Sequence, residues 1–168
     1  YDSGYVPQER TFLQSFERIK DEVMLKLLAI TAEGCLGIPG EESGFTADII
    51  NVTRDHYKRI GFQPPWIGYF VMSDGQNVGG CGFKYPPRDN KVEIAYFTFP
   101  EFEGKGHATR TAAAIVELTQ KNGPDLLITA RTLPQKNAST RVLEKNGFVF
   151  SGNVEDPEDG PVWEWNLK

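Results

Sequence analysis

The most constraining feature of this 168-residue sequence is the stretch from Val92 to Ala114, which has the pattern of a strand, a short turn and a helix. Its first six residues alternate between two faces and are rich in strand formers, and Pro100 ends that run. Glycines at 104 and 106 follow, and an alanine-rich segment then carries apolar residues at helical spacing. A turn that opens a helix leaves unpaired backbone N–H groups at the positive end of the helix dipole. The stretch therefore predicts either a phosphate-binding turn or a plain structural turn.

The two glycines match neither of the best-known phosphate motifs. Lys105 lies between them and no Gly-Lys-Ser/Thr sequence ends the loop, so the P-loop pattern is excluded. Thr109 occupies the position of the third glycine in the dinucleotide-binding pattern G-x-G-x-x-G. The spacing alone therefore does not identify a ligand.

The rest of the sequence predicts an α+β fold in a single domain, residues 1–168, with residues 1–11 as a loosely held N-terminal arm. Apolar residues at three- and four-residue steps predict a helix from Phe12 to about Ile30. A second helix is expected from about Thr46, and Gly61 ends it. Strands are predicted at 66–72, 78–85, from 92, at 126–130, 148–153 and 162–167, with further helices at 108–118 and from 137 or 139 to 145.

Two details of the strands are predicted from turn chemistry and glycine content. Residues 73–77, Ser-Asp-Gly-Gln-Asn, are typical of a hairpin turn. Gly79, Gly80 and Gly82 in the following strand indicate a bulge or a close backbone neighbour. The order strand, helix, strand across residues 92–130 predicts one βαβ unit with parallel strands.

Composition favours a packed globular protein. Hydrophobic residues make up 39% of the chain, with eleven Phe, six Tyr and three Trp, and the net charge of −5 argues against nucleic acid as a partner. No apolar run approaches the roughly 20 residues of a membrane span, and no signal peptide is visible, although Tyr1 is not an initiator. Cys35 and Cys81 are expected to be reduced thiols in a cytoplasmic protein, with a single bridge between them left open.

Two segments of the chain resemble the GCN5-related N-acetyltransferase (GNAT) superfamily. FEGKGHAT, after a strand ending in FTFP, resembles its pyrophosphate loop, and TLPQKNASTRVLEKNGF resembles its second acyl-CoA motif. The likeness covers about residues 68–168 and is greatest to the branch that contains the ribosomal-protein N-terminal acetyltransferases. It implies a mixed, mostly antiparallel sheet with one βαβ unit and a splay between the fourth and fifth strands, in which pantetheine lies like an added strand.

The resemblance implies acetyl-CoA as co-substrate, no metal, and a primary amine of a small molecule or peptide as acceptor. Backbone N–H groups of the glycine loop would hold the pyrophosphate, and the preceding strand end would pair with pantetheine. Lys105 is either a phosphate contact or a solvated turn lysine, and His107 is a residue of the helix start rather than a base. The implied cofactor-binding residues are Phe97, Thr98, Phe99, Gly104, Lys105, Gly106, His107, Ala108, Thr109, Asn137 and Ser139.

Glu93 is the candidate catalytic residue. It shares a strand face with Ala95, Phe97 and Phe99, and it matches the acidic residue of the corresponding strand in this branch. In that branch this residue is often placed to accept a proton, directly or through water, so the resemblance implies the same role for Glu93. The alternative is that Glu93 only pairs across the sheet with a lysine or an arginine.

Three positions depart from the superfamily pattern. Leu143 stands where a tyrosine often acts as general acid, so the leaving thiolate must take its proton from water or another hydroxyl, or leave unprotonated. The candidate hydroxyls are those of Ser139, Tyr85 and Tyr96. Lys136 stands where the second motif places asparagine, with Asn137 one residue later, and Glu101 replaces the Gln or Arg that opens the loop motif.

These patterns leave two functions open. The first is an N-acetyltransferase acting by direct attack, and the second is an acyl-CoA-binding module that has lost catalysis. Cysteine-based acyl transfer would need a base beside Cys35 or Cys81, and neither has a histidine nearby in sequence. The acceptor pocket is expected from about residues 27–65. The expected partner is the amine substrate, without nucleic acid or membrane, and a homodimer is left open.

Overall fold

The computed structural model describes residues 17–20, 23–35 and 44–168 of the chain. These residues form eight strands, three α-helices and a short 3-10 turn at Pro100–Phe102. The strands are β1 (Glu17–Lys20), β2 (Val23–Ala29), β3 (Tyr69–Ser73), β4 (Gln76–Phe83), β5 (Lys91–Thr98), β6 (Leu127–Thr132), β7 (Val149–Asp156) and β8 (Gly160–Leu167). The helices are α1 (Gly44–Ile60), α2 (His107–Asn122) and α3 (Ala138–Lys145).

All eight strands belong to one sheet with the order β1-β2-β3-β4-β5-β6-β8-β7. Neighbouring strands are antiparallel except β5 and β6, which are parallel and are joined through α2. The predicted α+β fold, mostly antiparallel with one βαβ unit, is therefore confirmed. The second helix, the helix after the glycine loop and the helix near residue 138 are all present close to their predicted bounds.

The sheet opens between β5 and β6, as the resemblance implies. Their pairing runs only from Lys91↔Leu127 to Ile94↔Ala130, although β5 continues to Thr98. Beyond Ile94, β5 pairs with β4 alone. The gap lies between the fifth and sixth strands as counted here, because the short β1 adds one strand to the implied count.

The helix predicted from Phe12 to about Ile30 is wrong over the described part of that range. Residues 17–20 and 23–29 are strands β1 and β2, which pair antiparallel, while residues 1–16 lie outside the described residues. β2 is an inner strand with apolar residues on both faces, since Leu25 and Leu27 belong to one core cluster and Leu28 packs against the other. A strand buried on both faces has a continuous apolar run, and such a run also satisfies helical spacing.

The core lies on both faces of the sheet. The larger cluster includes Val92, Ile94 and Ile115 of α2 and is closed by the aromatic residues of β8. The smaller cluster lies beneath α1 and joins Ile50 to Phe70 and Met72. The larger cluster thus holds β5 against α2, and the smaller one holds α1 against β3.

The β3–β4 hairpin confirms both predictions made for it. Asp74 and Gly75 form the turn with φ values of 48° and 79°, a conformation typical of tight hairpin turns. The register shifts between Val71 and Met72, which places a bulge at Val78. A Cβ atom on Gly79 would overlap the backbone carbonyl oxygen of Phe97, so this glycine also has the close backbone neighbour that was expected.

We expect Gly79→Ala to destabilise the protein far more than Gly75→Ala, its matched control in the same hairpin. The added methyl group at 79 meets backbone of β5, which cannot rotate away, and a loss of about 3 kcal/mol is expected. Gly75 has open space around it, so only its positive φ opposes a side chain there. That backbone strain should lower the free energy of unfolding by about 1–2 kcal/mol. Urea unfolding measures both free energies, and equal losses would contradict the proposed contact.

Candidate active site

The turn between β5 and α2 places two left-handed glycines before the start of the helix. Gly104 and Gly106 have φ values of 74° and 80°. Gly106 is the N-cap of α2 and offers no side-chain cap, and the first helical bond is Arg110 N to Gly106 O at 3.2 Å. The N–H groups of residues 107–109 therefore have no helical acceptor. Gly104, Gly106, His107, Ala108 and Thr109 thus lie together at the start of α2, where the helix dipole favours a negative group.

The side chains of this loop fold back onto it. Lys105 Nζ donates to Glu101 O at 3.3 Å and lies over the Phe102 ring. His107 Nδ1 accepts from Arg110 Nη2 at 3.1 Å, because a guanidinium can only donate. Burial, and then the nearby Arg110 and Lys105 charges, lower the pKa of His107. The imidazole is therefore neutral at pH 7, so the positive charge beside the loop comes from Lys105 and Arg110.

Arg110, in the first turn of α2, contacts the glycine loop and was missed by sequence reasoning. Its Nη2 atom also donates to Lys105 O at 3.2 Å, and a Cβ atom on Gly106 would lie 3.0 Å from Nη1. Its Nε atom is buried and has no hydrogen-bond partner among the described residues. Arg110 therefore holds the glycine loop from inside the first turn of α2. The only sequence signal was its position, one helical turn after Gly106.

The end of β5 presents backbone donors to the gap, but not from all of the expected residues. Glu93 O accepts from Lys84 N at 3.0 Å, and Phe99 N donates to Val78 O at 2.9 Å. The backbone groups of odd-numbered residues in this segment are therefore directed towards β4. Ladder bonds alternate along an antiparallel strand. The N–H groups of Tyr96 and Thr98 therefore face the gap, whereas those of Phe97 and Phe99 are directed towards β4.

Phe97 and Phe99 contribute their rings instead. Phe97 is 41% exposed. The Phe97 and Phe99 rings meet edge to face at 5.6 Å, and the ring of Phe45 at the start of α1 lies 5.7 Å from that of Phe99. An aromatic surface therefore borders the strand end, between the gap and the first turn of α1.

The two predicted residues of α3 have different positions. Asn137 is the N-cap, and its Oδ1 atom accepts from Thr140 N at 3.1 Å in a reciprocal capping box. This bond uses one lone pair of the amide oxygen to cap the helix. Ser139 is exposed, and its carbonyl oxygen accepts from the hydroxyl of Tyr96 at 3.3 Å. Tyr96 thus links β5 to α3 beside the gap.

On the opposite face of the sheet, a cleft of about 900 Å³ lies between α1, β4, β5 and the β7–β8 turn. Gly68 and Gly82 form part of its floor, and Glu93 and Ala95 of β5 line it. His56 is half-buried in its wall, where Nε2 donates to Lys84 O at 2.7 Å. The cleft is therefore built partly from residues 52–60 and 68, within or just beyond the segment expected to form an acceptor pocket.

Glu93 faces this cleft and also pairs with an arginine. The residue is only 3% exposed, and its Oε1 atom lies 3.4 Å from Arg131 Nε. Arg131 contacts two further carboxylates, Asp156 Oδ2 at 2.7 Å and Glu164 Oε2 at 3.2 Å. The ion pair that was the alternative for Glu93 is thus present, and its role as a proton acceptor stays a prediction. The sequence could not reveal this cluster, because β6, β7 and β8 supply its other members.

The environment of the cluster shifts the pKa values of Glu93 and Asp156 in opposite directions. Burial raises the pKa of Glu93, against the opposing charges of Arg131 and Lys84. In contrast, the backbone N–H of Glu158 and the guanidinium of Arg131 lower the pKa of Asp156 to about 2. Asp156 is therefore a fixed negative charge, whereas the Glu93 carboxyl takes up a proton at higher pH than an ordinary glutamate does.

Leu143, at the position where the superfamily often has a tyrosine, is a core residue in this protein. Leu143 is 0% exposed and lies in the main core. Burial raises the pKa values of both Tyr85, which lines the cleft beneath Arg88, and Tyr96 beside the gap. Both hydroxyls therefore keep their protons at neutral pH, which a proton donor requires.

The cysteines are buried. Cys35 packs in the cluster under α1, and Cys81 belongs to the main core, where burial raises its thiol pKa. Within residues 17–20, 23–35 and 44–168, no group of three or more His, Cys, Asp or Glu side chains is placed to hold a metal ion. No helix in the described part of the chain is both long and apolar enough to cross a membrane.

Comparison with protein families gives the assignment. Residues 37–149, about two thirds of the chain, match the acetyltransferase (GNAT) domain. The chain belongs to this family. A search of curated proteins finds no match.

Solved structures of GNAT acetyltransferases share the fold. Aminoglycoside acetyltransferase AAC(6')-Ib in complex with coenzyme A is 25% identical, with a TM-score of 0.53 over 61% of this chain and 65% of that one. The chain thus spans less than two thirds of that relative. RimL, the ribosomal L7/L12 α-N-protein acetyltransferase in complex with coenzyme A, is 15% identical, with a TM-score of 0.65 over 90% of this chain and 97% of that one. The Salmonella typhimurium acetyl transferase that modifies the N-terminal serine of L7/L12 is also 15% identical, with a TM-score of 0.63 over 85% and 94%.

We expect Asp156→Asn to destabilise the GNAT domain in a pH-dependent way. A carboxyl whose pKa falls from 3.8 to about 2 on folding stabilises the fold fully above pH 4. That contribution is lost as the pH falls towards the folded-state value. Urea unfolding should therefore show a constant gap between wild type and variant from pH 7 to 5 that narrows below about pH 4. A gap that stays constant down to pH 2 would contradict the role of Asp156.

Proposed function

We propose that this GNAT protein is an acetyl-CoA-dependent N-acetyltransferase that moves an acetyl group to a primary amine by direct attack. The observation that carries the proposal is the position of β5 between two sites. One edge of this strand opens into the gap that ends at the glycine turn, and one face carries Glu93 into the cleft. A thioester held along the gap and an amine held in the cleft would meet at the end of the same strand.

The chain has the groups needed to hold acetyl-CoA. The free N–H groups at the start of α2 suit the pyrophosphate, and Lys105 and Arg110 add positive charge beside them. The N–H groups of Tyr96 and Thr98 suit the amides of pantetheine, which would bond to β5 as an added strand. The bound co-substrate supplies the activated acetyl group. Relatives solved with coenzyme A support this choice of ligand.

Glu93 is the residue best placed to accept the proton of the amine. An aliphatic ammonium has a pKa near 10.4, so only about one molecule in 2,500 is nucleophilic at pH 7. Glu93 would take the proton, directly or through water, as the C–N bond forms and the C–S bond breaks. General-base assistance of this kind is typically worth about 10²–10⁴ in rate. The thiolate then takes a proton from water or from the hydroxyl of Tyr96, Tyr85 or Ser139.

The acceptor is a primary amine on a small molecule or a peptide. The aminoglycoside and ribosomal-protein acetyltransferases among its structural relatives support both classes. The cleft between α1 and the β7–β8 turn would hold the acceptor, because it contains Glu93 and is large enough for a small ligand or a peptide end.

A catalytically silent acyl-CoA-binding module is the second candidate. The buried Leu143 and the ion pair of Glu93 with Arg131 favour it. Release of thiol from acetyl-CoA over a panel of amines, measured alongside binding by calorimetry, separates the two. Binding without release on any amine would favour the module and contradict the enzyme.

We expect Gly106→Val to abolish binding of acetyl-CoA. The added side chain would occupy the space through which a phosphate approaches the start of α2, and it would press on Arg110. Gly75→Val is the matched control for backbone strain, since its φ of 79° is close to the 80° of Gly106. Lys105→Ala removes a charge but no backbone donor, and should weaken binding by about tenfold or less. Calorimetry measures all three affinities. Unchanged affinity in Gly106→Val would exclude this loop as the phosphate site.

We expect Glu93→Gln to retain acetyl-CoA affinity and to lower kcat/KM by about 10²-fold or more at pH 7. The amide keeps the size of the side chain but cannot accept the proton. The deficit should shrink as the pH rises and the amine deprotonates in solution. Steady-state kinetics between pH 6 and 10 give the comparison, and full turnover of the variant at pH 7 would mean that the base lies elsewhere.

A further inference from the structure

Three carboxylates share one guanidinium at the wall of the cleft. Arg131 on β6 lies 2.7 Å from Asp156 at the end of β7, 3.2 Å from Glu164 on β8 and 3.4 Å from Glu93 on β5. All four side chains are largely buried, with the Arg131 side chain 26% exposed and the three acidic side chains less. The acids outnumber the single positive charge, so at least one acid is left poorly neutralised.

The guanidinium is not shared equally. Its Nη1 atom donates to Asp156, and both Nε and Nη2 donate to Glu164 Oε2, at 3.3 and 3.2 Å. Glu93 has only the longer 3.4 Å ion pair with Nε, and no hydrogen bond links it to Arg131. Hydrogen-bonded geometry is what makes an arginine pair strong. Glu93 is therefore the acid of the three that Arg131 pairs with by charge alone, without a hydrogen bond.

The backbone holds the two competing acids in place. Asp156 Oδ1 accepts from the N–H groups of Glu158 and Asp159 at 2.9 and 3.1 Å, which fixes the carboxylate in the β7–β8 turn. Glu164 lies directly opposite Arg131 in the register of β6 and β8. Backbone structure thus holds Asp156 and Glu164 in hydrogen-bonding position to the Arg131 guanidinium. The unequal distribution of hydrogen bonds among the three acids is therefore a property of the fold.

We propose that Asp156 and Glu164 are positioning residues that keep Arg131 from pairing fully with Glu93, and so maintain Glu93 as a base strong enough to accept the proton of the substrate amine. The proposal rests on the role given to Glu93 under the proposed function. Asp156 and Glu164 act through Arg131 and through their own negative charge, and touch no reacting atom.

The other charged groups around Glu93 do not replace this control. Burial raises the pKa of Glu93, Arg131 and Lys84 lower it, and Asp156 and Glu164 raise it. An arginine paired fully with a carboxylate typically lowers the pKa by about 1–3 units, which would leave Glu93 a weak base at neutral pH. The remaining charged and titratable residues that line the cleft are His56, Tyr57 and Arg59 of α1, Cys81 of β4, Tyr85 and Arg88 before β5, and Glu155 and Glu158 near the β7–β8 turn.

The test is the titration of Glu93 in the protein without ligand, followed by carbon-13 NMR of its side-chain carboxyl. Asp156→Asn and Glu164→Gln each keep side-chain size but remove a competitor for Arg131. Both should move the midpoint of Glu93 to lower pH, by about one unit. Arg131→Gln should move it to higher pH. Glu144→Gln, which removes an exposed acid on α3, is the matched control and should leave the midpoint unchanged.

The acid variants and Arg131→Gln should shift the titration midpoint of Glu93 in opposite directions. This result distinguishes a positioning role from a structural one, because a loss of packing would not shift the midpoint down in some variants and up in another. The proposal is overturned if Asp156→Asn and Glu164→Gln leave the midpoint of Glu93 in place or raise it. These two variants decide the result even if Arg131→Gln does not fold. In active protein, the acid limb of kcat/KM should move in the same direction as the midpoint, with a lower plateau in the two acid variants. An inactive wild type would count against the proposed function alone, since the NMR titration needs no turnover.

Discussion

Four register pairs between β5 and β6 are the constraint on which this structure depends. They join the antiparallel strands β1–β5 to the β6-β8-β7 group, and α2 crosses between them in the same βαβ unit. Because the pairing stops at Ile94, β5 continues with one edge bonded to β4 and the other open. The glycine turn, the exposed N–H groups and the Glu93 face all follow from the path of this one strand.

The site combines a fixed electrostatic frame with one adjustable acid. Turn amides and a guanidinium hold Asp156 charged, while burial makes the charge on Glu93 less favourable. Desolvation and like charge act in the same direction on Glu93, and Arg131 opposes both only in part. A buried acid with an incomplete partner costs stability when ionised. This cost is the physical reason that the pKa of Glu93 lies above its ordinary value.

Sequence predicted the parts of the fold that depend on local chemistry. Gly104, Gly106 and the Asp74-Gly75 turn were recognised because backbone conformation there depends on the residues themselves. The helix expected from Phe12 to Ile30 was wrong over its described part, since β2 is apolar on both faces and periodicity cannot distinguish that case. Glu93 could be named from its strand, but the partners of Arg131 come from three strands distant in sequence. The direction of the Tyr96 and Thr98 amides likewise required the register with β4.

The glycine floor of the cleft limits how such a site can change during evolution. A Cβ atom on Gly82 would lie 3.0 Å from the backbone of residues 67 and 68, and one on Gly68 would lie 3.1 Å from Thr53 of α1. Larger residues at these positions would force the sheet and α1 apart, so the depth of the cleft is fixed by the fold. Its rims are exposed side chains such as Arg88 and Glu158, which can vary without moving the backbone. Substitutions at the rims would therefore change what the cleft can hold at little cost in stability, whereas substitutions on the floor would disturb the backbone.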